Sequence, residues 1–228
     1  MNLEVLTDAD TVARQAASEI ACFARSAVAE RGQFLLAVSG GRTPWVMLKA
    51  LTEEEIPWGN VHIFQVDERA APDGHSDRNL THLRASLAGA PIPESQIHAM
   101  NTAAQDLQAS ADQYCELLRT YAGVPPVLDL VHLGLGTDGH TASLVPNDAA
   151  LSIEGSDVAI TDVYQGRQRM TLTFPVLNRS RKILWVVTGA EKREMLSRLQ
   201  SGDQTIPAGR IRRDDAIILA DQAAAGTT

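Results

Sequence analysis

The segment 134–143, GLGTDGHTAS, places an aspartate and a histidine two positions apart in a turn that contains three glycines. A histidine side chain takes up and releases protons near neutral pH. A carboxylate beside it can orient the imidazole ring or stabilise its positive charge. Glycines let the backbone adopt conformations and close approaches that a Cβ atom forbids. Asp138 and His140 are therefore candidate catalytic residues, with His140 as the general base.

The same turn contains the spacing G-x-G-x-x-G at Gly134, Gly136 and Gly139, which also occurs in dinucleotide-binding sites. Such a site needs the glycines to open a long helix and an acidic residue at the end of the next strand. Pro146 interrupts a helix early, and the acidic residues of 154–157 lie in a polar stretch. Clusters of His and Cys at metal-ligand spacing are absent from the sequence. We therefore expect neither a nucleotide cofactor nor a metal.

A second candidate segment, 39–44 (SGGRTP), lies between an apolar run and a predicted helix. Free backbone N–H groups and the helix dipole make such a turn a binding site for anions such as phosphate. The candidate phosphate-binding residues are Ser39, Gly40, Gly41, Arg42 and Thr43. The alternative is structural, with Thr43 capping the helix and Pro44 at its first position. The apolar strand in front favours phosphate binding, and both interpretations can hold together.

Charged residues follow further strands of the chain. Asp67, Glu68 and Arg69 come directly after an apolar run. A surface ion-pair cluster is the alternative, but the adjoining apolar strand favours a functional role. Asp67 and Arg69 are the candidate site residues of this group. Arg169 and Lys192 are either surface charges or a clamp for a phosphate, and their spacing in the sequence does not show whether they converge.

The composition restricts the class of protein. The chain has 228 residues, a net charge of −8 and 44% hydrophobic residues. This hydrophobic content argues against disorder, and no apolar run reaches the roughly 18 residues of a membrane span. A negative protein lacks the clustered Lys and Arg that bind nucleic acid, although one pocket can still be positive. We expect no nucleic-acid partner and no membrane partner.

The location of the protein is inferred from its first residues and its cysteines. Residues 1–8 lack the basic start and apolar core of a secretory signal, so we expect no export. Cys22 and Cys115 lie far apart and outside any CxxC or disulfide-rich pattern. We expect both to be buried thiols in a reducing cytoplasm.

Strand and helix patterns alternate along the chain. The predicted strands are 34–39, 61–66, 127–133 and 182–188. The predicted helices are 8–30, one from 43, 79–87, 103–121 and 191–199. Segments 158–163 and 169–173 predict a hairpin around Gln165 and Gly166. We therefore predict an α/β fold, in which residues 1–228 form a single domain with a Rossmann-like, mostly parallel sheet, helices on both faces, and a short hairpin or sheet extension.

Taken in order, these segments resemble the 6-phosphogluconolactonase family, which shares its fold with the glucosamine-6-phosphate deaminases. The element Gly-x-Asp-Gly-His-Thr-Ala-Ser-Leu at 136–144 is specific to this resemblance. The other matching motifs are 39–44, 66–69, 169–173, Leu177 with Asn178, and Thr188 with Gly189 and Lys192. Together they span nearly the whole chain.

The resemblance implies hydrolysis of 6-phosphoglucono-1,5-lactone to 6-phosphogluconate, a step of the oxidative pentose phosphate pathway, without a cofactor. His140 then takes the position of the family's general base. Asp67 and Asp138 match acidic positions that orient His140 or sugar hydroxyls. The positions that hold the phosphate match the loop 39–43, Arg169 and Lys192. The expected partner is a small sugar-phosphate lactone, and the resemblance leaves open whether the protein is a monomer or a dimer.

Two other functions stay open. In the deaminases a glutamate follows the Asp-Gly-His turn, whereas 141–148 contain none in this chain. A non-catalytic sugar-phosphate sensor can keep the phosphate loop, but it can lose the base and normally carries an output module. The presence of His140 and the lack of a spare segment of about 50 residues disfavour the sensor. The chain also departs from the family at Val145, where phenylalanine is common, and near Arg78, whose role stays open.

Overall fold

The computed structural model describes residues 1–227. Ten β-strands and seven α-helices alternate in this part of the chain. The strands are β1 (Asn2–Leu6), β2 (Phe34–Val38), β3 (Val61–Gln65), β4 (Asp67–Arg69), β5 (Ile97–His98), β6 (Leu130–Leu133), β7 (Val158–Ile160), β8 (Arg169–Leu172), β9 (Lys182–Val187) and β10 (Ala216–Asp221). The helices are α1 (Ala9–Arg31), α2 (Arg42–Leu51), α3 (Asn79–Ser86), α4 (Leu107–Ala122), α5 (Phe174–Arg179), α6 (Arg193–Ser201) and α7 (Gln222–Ala225).

Seven strands form a parallel sheet in the order β1-β10-β9-β6-β2-β3-β5. Parallel neighbours need crossover connections, which place helices on both faces of the sheet. One hydrophobic cluster packs α1, α2 and α3 against one face, and a second packs α4 and α6 against the other. Strand β2 is buried along its whole length, as its uninterrupted apolar sequence predicts. The predicted α/β fold with a mostly parallel sheet is confirmed.

The order of the strands changes direction between β2 and β6. From β2 the chain continues outward through β3 to β5, whereas from β6 it continues through β9 to β10 on the other side. Loops that leave two such neighbouring strands diverge and open a crevice at the carboxyl ends of the strands, where ligands bind in open α/β sheets. The candidate segment 134–143 follows β6, and the candidate segment 39–44 comprises the loop after β2 and the first residues of α2.

A second, antiparallel sheet has the order β4-β8-β7. Strands β7 and β8 form the predicted hairpin, with Gln165 and Gly166 in its terminal turn. No strand was predicted at β4, because three successive charged residues are not typical of a buried strand. The register of this sheet sets Arg69 opposite Arg169.

Helix α1 has a typical capping residue at each end. The Asp8 carboxylate accepts the backbone N–H of Thr11 at 2.7 Å, and the helix ends at Gly32, close to the predicted bounds. Its buried face consists mostly of alanines, which allow close packing against α2. With 23 residues α1 is the longest helix, yet neither it nor any other helix within residues 1–227 is apolar enough to cross a membrane.

Some sequence-based expectations were incomplete or wrong. Strands β1 and β5, the two edges of the large sheet, and β10 beside β1 were not predicted. Helix α4 begins at Leu107 rather than at 103, because the Asp106 side chain caps it by accepting the Ala109 N–H at 2.9 Å. The expectation of a buried Cys22 is wrong, since this residue lies on the exposed side of α1, whereas Cys115 is buried as predicted.

Two buried histidines lead us to predict a loss of stability in acid. Burial lowers the pKa of His132 in β6 to about 3, and burial together with the charge of His62 lowers the pKa of His98 in β5 to about 4. The unfolded chain protonates the same side chains near pH 6.5, so acid favours unfolding. We expect the free energy of unfolding in urea to fall by about 5 kcal/mol between pH 6.5 and pH 4, with about half of the loss from each histidine.

The contribution of His98 can be isolated by substitution. His98→Gln is expected to make the free energy of unfolding less dependent on pH over this range, whatever its effect on stability at pH 7. His82→Gln changes a partly exposed histidine on α3 and serves as the matched control. A pH dependence in His98→Gln equal to that of the unmodified protein contradicts the assignment.

Candidate active site

One pocket of about 610 Å³ opens at the carboxyl ends of β2, β6 and β9. Residues from all the candidate segments meet in it, although they are far apart in the sequence. The predicted site residues that line the pocket are Ser39, Gly40, Gly41, Arg42, Thr43, Asp67, Arg69, His140, Arg169 and Lys192. Asp138 lies next to the pocket in contact with His140.

The Asp138 carboxylate and the His140 imidazole form a hydrogen-bonded pair. Asp138 Oδ1 and His140 Nδ1 are 2.5 Å apart, and the His140 backbone N–H donates to the same oxygen at 3.1 Å. Because an ionised carboxylate only accepts, the ring proton lies on Nδ1, and Nε2 of the neutral ring keeps its lone pair. Partial burial favours a higher pKa for Asp138, but the charge and hydrogen bonds of His140 and the hydroxyl of Tyr164 lower it below its ordinary value. The carboxylate therefore stays ionised and holds the imidazole in one orientation.

The glycine turn after β6 is shaped around this pair. A Cβ atom on Gly136 would lie 2.1 Å from His140 Nδ1 and 2.6 Å from Asp138 Oδ1, so only glycine leaves room for both side chains. The Gly136 N–H donates to the His140 carbonyl at 2.8 Å, and the Thr141 hydroxyl donates to the Gly134 carbonyl at 2.9 Å. The G-x-G-x-x-G spacing here accommodates a histidine and an aspartate, and it opens no helix.

The loop after β2 presents the uncapped start of α2 to the pocket. The helix begins at Arg42 with Gly41 at its N-cap, and no side chain within residues 1–227 caps it. The interpretation of Thr43 as the cap is therefore wrong. Thr43 lies in the first turn, and its hydroxyl is 2.7 Å from the hydroxyl of Thr188, which follows β9. An uncapped first turn that faces a pocket is suited to bind an anion.

Ser39 at the start of this loop is held by the neighbouring strand. Its backbone N–H donates to Nδ1 of His132 at 3.3 Å, and its hydroxyl donates to the His132 carbonyl at 3.1 Å. His132 is fully buried, and burial lowers its pKa, so the ring stays neutral and Nδ1 can accept. His132 was predicted to have no site role, and it supports the loop from beneath.

Asp67 is buried at the edge of the pocket. Its Oδ2 accepts the Ser143 hydroxyl at 2.5 Å, and its carbonyl oxygen accepts from Asn79 Nδ2 at 3.0 Å. Within residues 1–227 no hydrogen bond joins Asp67 to His140. Of the two roles that the resemblance implies for Asp67, this position favours contact with sugar hydroxyls over orientation of the base.

Arg69 and Arg169 face one another across β4 and β8. Arg169 is only 5% exposed, and its Nε has no hydrogen-bond partner in the described part of the chain. Burial and Arg69 lower the pKa of Arg169, while Asp67 acts in the opposite direction. Like charges opposite one another in a sheet repel, and an anion bound between them would relieve the repulsion. Arg42 and Lys192 line the same pocket and add two further cations.

The neighbouring Glu68 is structural. Its fully buried carboxylate accepts the backbone N–H groups of Asn79 and Leu80 at the start of α3, each at 2.8 Å. Arg78, whose role the sequence left open, is 1% exposed, lies beside this carboxylate and donates to the Met100 carbonyl at 3.1 Å. These contacts anchor α3 to β4.

The pocket also contains residues that the sequence did not indicate. Asn79 lines it with a buried Oδ1 that has no hydrogen-bond partner among the described residues. Tyr164 and Gln165 line it from the end of the β7–β8 hairpin. Nothing in the sequence distinguishes Tyr164 from an ordinary loop residue, because its place depends on how the hairpin folds over the pocket.

The expectation of a site without a metal stays a prediction. Within residues 1–227 no group of three or more His, Cys, Asp and Glu side chains is arranged to hold a metal ion. The carboxylates near the pocket are engaged by protein donors instead, as Asp67 is by Ser143 and Asp138 is by His140.

Residues 7–219 match the family of glucosamine-6-phosphate isomerases/6-phosphogluconolactonase. The chain belongs to this family. The matched range includes both loops of the crevice, the small antiparallel sheet and the Asp138–His140 pair, and it agrees with the resemblance that the motifs carry.

Several individual proteins are similar to this chain over most of its length. A 6-phosphogluconolactonase from Synechocystis sp. is 40% identical over 207 residues, which cover 87% of this chain and 86% of the relative. The crystal structure of 6-phosphogluconolactonase from Thermotoga maritima is 26% identical and has a TM-score of 0.86, with 96% of this chain and 98% of that chain covered. A monomeric glucosamine-6-phosphate deaminase has a TM-score of 0.87 over 100% of both chains at 18% identity. The fold is therefore common to both enzymes and does not distinguish them.

The contact between the glycine turn and the pair is testable by adding one methyl group. Gly136→Ala is expected to displace the His140 ring from Asp138 and to lower the free energy of unfolding by about 1–3 kcal/mol. The proton NMR signal of the Nδ1–H bonded to Asp138 should disappear. Gly134→Ala is the matched control, because apart from the adjoining residues no atom in the described part of the chain lies within 4 Å of the added Cβ. An unchanged Nδ1–H signal in Gly136→Ala contradicts the contact.

Proposed function

We propose that this protein hydrolyses 6-phospho-D-glucono-1,5-lactone to 6-phospho-D-gluconate, with His140 as the general base. The relatives from Synechocystis sp. and Thermotoga maritima are both named 6-phosphogluconolactonases. The observation that carries the proposal is the Asp138–His140 pair beside a pocket lined by four cationic side chains. Such a pair can activate water while the cations hold the phosphate of the substrate.

The chemistry proceeds through attack of water on the lactone carbonyl. His140 Nε2 takes a proton from the water as its oxygen bonds to the carbonyl carbon, and a tetrahedral intermediate forms. When the intermediate collapses, the bond from this carbon to the ring oxygen breaks, and the ring oxygen receives the proton from His140. Asp138 stabilises the intervening imidazolium through its 2.5 Å hydrogen bond to Nδ1. Because a lactone is already an activated ester, a base and correct positioning are sufficient.

The phosphate binds away from the reacting carbon and positions the lactone. The residues proposed to hold it are Ser39, Gly40, Gly41, Arg42, Thr43, Arg69, Arg169 and Lys192. Among the described residues, the first turn of α2 has no side-chain cap and Nε of Arg169 has no hydrogen-bond partner, and both observations support this proposal. Binding energy from a remote phosphate can be used to orient the carbonyl carbon toward the water and His140.

A glucosamine-6-phosphate deaminase is the second candidate function, favoured by the shared fold. Against it, the segment 141–148 contains no glutamate, and its Ser143 hydroxyl is engaged by Asp67. The sensor is less favoured, because a binding protein does not require the complete Asp138–His140 pair.

The proposal includes one domain and a cytoplasmic location. The two hydrophobic clusters cover opposite faces of one continuous sheet, which supports a single domain. Cys22 and Cys115 are both free thiols, which supports a reducing compartment.

Replacement of the base tests the mechanism. His140→Ala is expected to lower kcat about 10²–10⁴-fold, because proton transfer to a positioned base contributes that much. Binding of 6-phosphogluconate, measured by calorimetry, should change little, since the cations remain. His82→Gln on α3 serves as the histidine control. If His140→Ala turns over the lactone at the rate of the unmodified protein, the assignment of His140 as the base is contradicted.

The choice between the two enzymes rests on paired assays of one preparation. We expect hydrolysis of freshly generated 6-phosphogluconolactone, corrected for its spontaneous hydrolysis, and no release of ammonia from glucosamine 6-phosphate. The reverse result favours the deaminase. Tight binding of either sugar phosphate without turnover favours the sensor.

The role of Arg169 predicts a change in KM. Arg169→Gln is expected to raise KM for the lactone about 10–100-fold, because a hydrogen bond to a charged group contributes about 1.5–3 kcal/mol. The change in kcat should be smaller. Arg119→Gln removes an exposed arginine of α4 and is the matched control. An unchanged KM in Arg169→Gln rules out the proposed contact with the phosphate.

A further inference from the structure

We propose that Tyr164, at the end of the β7–β8 hairpin, is a positioning residue that holds Asp138 for His140 and links this pair to Arg169. The inference rests on the proposed lactonase function for its kinetic consequence. Its structural consequence, the pKa of Asp138, is independent of any substrate. Tyr164 does not contact the reacting atoms of the proposed mechanism, and it acts through Asp138.

The Tyr164 hydroxyl completes the hydrogen bonding of the Asp138 carboxylate. It lies 3.1 Å from Asp138 Oδ2, while Oδ1 accepts from His140 at 2.5 Å. With a donor on each oxygen, the carboxylate cannot rotate without losing a hydrogen bond. Burial and the charge of Asp138 raise the pKa of Tyr164, so the phenol stays protonated and remains a donor.

The ring of Tyr164 contacts the two other functional side chains. The His140 ring packs against it edge to face, with 5.6 Å between the ring centroids and 68° between the planes. The guanidinium carbon of Arg169 lies 4.9 Å from its centroid, within the range of a cation–π interaction. One side chain thus contacts the base, its carboxylate and a candidate phosphate ligand.

The hairpin holds Tyr164 in this place by a tight turn. Tyr164 and Arg167 exchange backbone hydrogen bonds of 3.0 and 3.3 Å around Gln165 and Gly166, which have φ angles of 52° and 81°. Two left-handed residues in succession are typical of the two-residue turn that matches the twist of a hairpin. Arg167 Nε donates to Asp77 at 2.8 Å and ties the turn to the loop after β4. The contacts of the hairpin therefore position Tyr164, whereas its partner Asp138 lies in the glycine turn.

Loss of the hydroxyl has a defined electrostatic consequence. The Tyr164 hydroxyl is one of the donors that lower the pKa of Asp138. Without this donor the Asp138 carboxylate is less compensated, so the pKa of Asp138 should rise. The other charged groups that line the pocket are Asp67, Arg69 and Arg169 from the small sheet, Arg42 from the start of α2, Glu191 and Lys192 from the segment after β9, and Asp221 from the end of β10. Tyr164→Phe leaves all of them in place.

The decisive measurement is an NMR titration of the Asp138 carboxyl group in the free protein. In Tyr164→Phe we expect the pKa of Asp138 to rise, because one of the hydrogen bonds that lower it is lost. Tyr121→Phe, which removes a hydroxyl on α4 away from the pocket, is the matched control and should leave this pKa unchanged. A pKa in Tyr164→Phe that is unchanged or lower overturns the proposal, because a merely structural tyrosine would not move it upward.

Kinetics separate the two contacts of Tyr164. In Tyr164→Phe kcat should fall while KM is unchanged, because Asp138 then holds the His140 ring less firmly. Tyr164→Leu, which also removes the ring over Arg169, should in addition raise KM about threefold. Equal KM values in the two variants overturn the link to Arg169. If the unmodified protein hydrolyses no lactone, the proposed function fails, while the NMR titration still decides the role of Tyr164.

Discussion

The adjacency of β2 and β6 is the constraint on which the pocket depends. The chain runs outward from these two strands in opposite directions, and their loops leave a crevice between them. His132 of β6 lies beneath this crevice and accepts the backbone N–H of Ser39. Only a neutral imidazole can accept at Nδ1, and burial keeps it neutral by lowering its pKa to about 3. The candidate phosphate loop and the candidate base therefore rest on one pair of buried strands.

The small sheet contributes two buried charges that differ in how fully hydrogen bonds within the protein compensate them. Glu68 is fully buried, but backbone donors from the start of α3 surround its carboxylate, so its charge is compensated within the protein. Arg169 is nearly as buried, faces Arg69, and keeps an unpartnered Nε within residues 1–227. A buried charge without full compensation is unfavourable unless a ligand supplies the partner. This contrast supports a structural role for Glu68 and an anion-binding role for the two arginines.

Much of the fold was predictable because its signals are local. Helix α1 begins at an Asp cap and ends at a glycine, and β2 is an unbroken apolar run, so both were assigned close to their bounds. Strand β4 was missed because Asp67–Arg69 has no apolar pattern. Its pairing with β8 joins Asp67 to Thr171, which lies 104 positions later in the sequence. The burial of Cys22 was mispredicted because small helical residues occur on either face, and only packing against α2 and the sheet selects one.

The sequence by itself determined which chemistry the chain can perform. Asp138 and His140 are two positions apart, so a single glycine turn brings them together, and the α/β alternation follows from periodicities of a few residues. The tertiary structure decided what surrounds them. It set Arg69 opposite Arg169, directed Asp67 toward Ser143, and laid Tyr164 against the pair. These contacts join segments whose distance in space depends on sheet order, strand register and the turn of one hairpin, and no local pattern of residues encodes that distance.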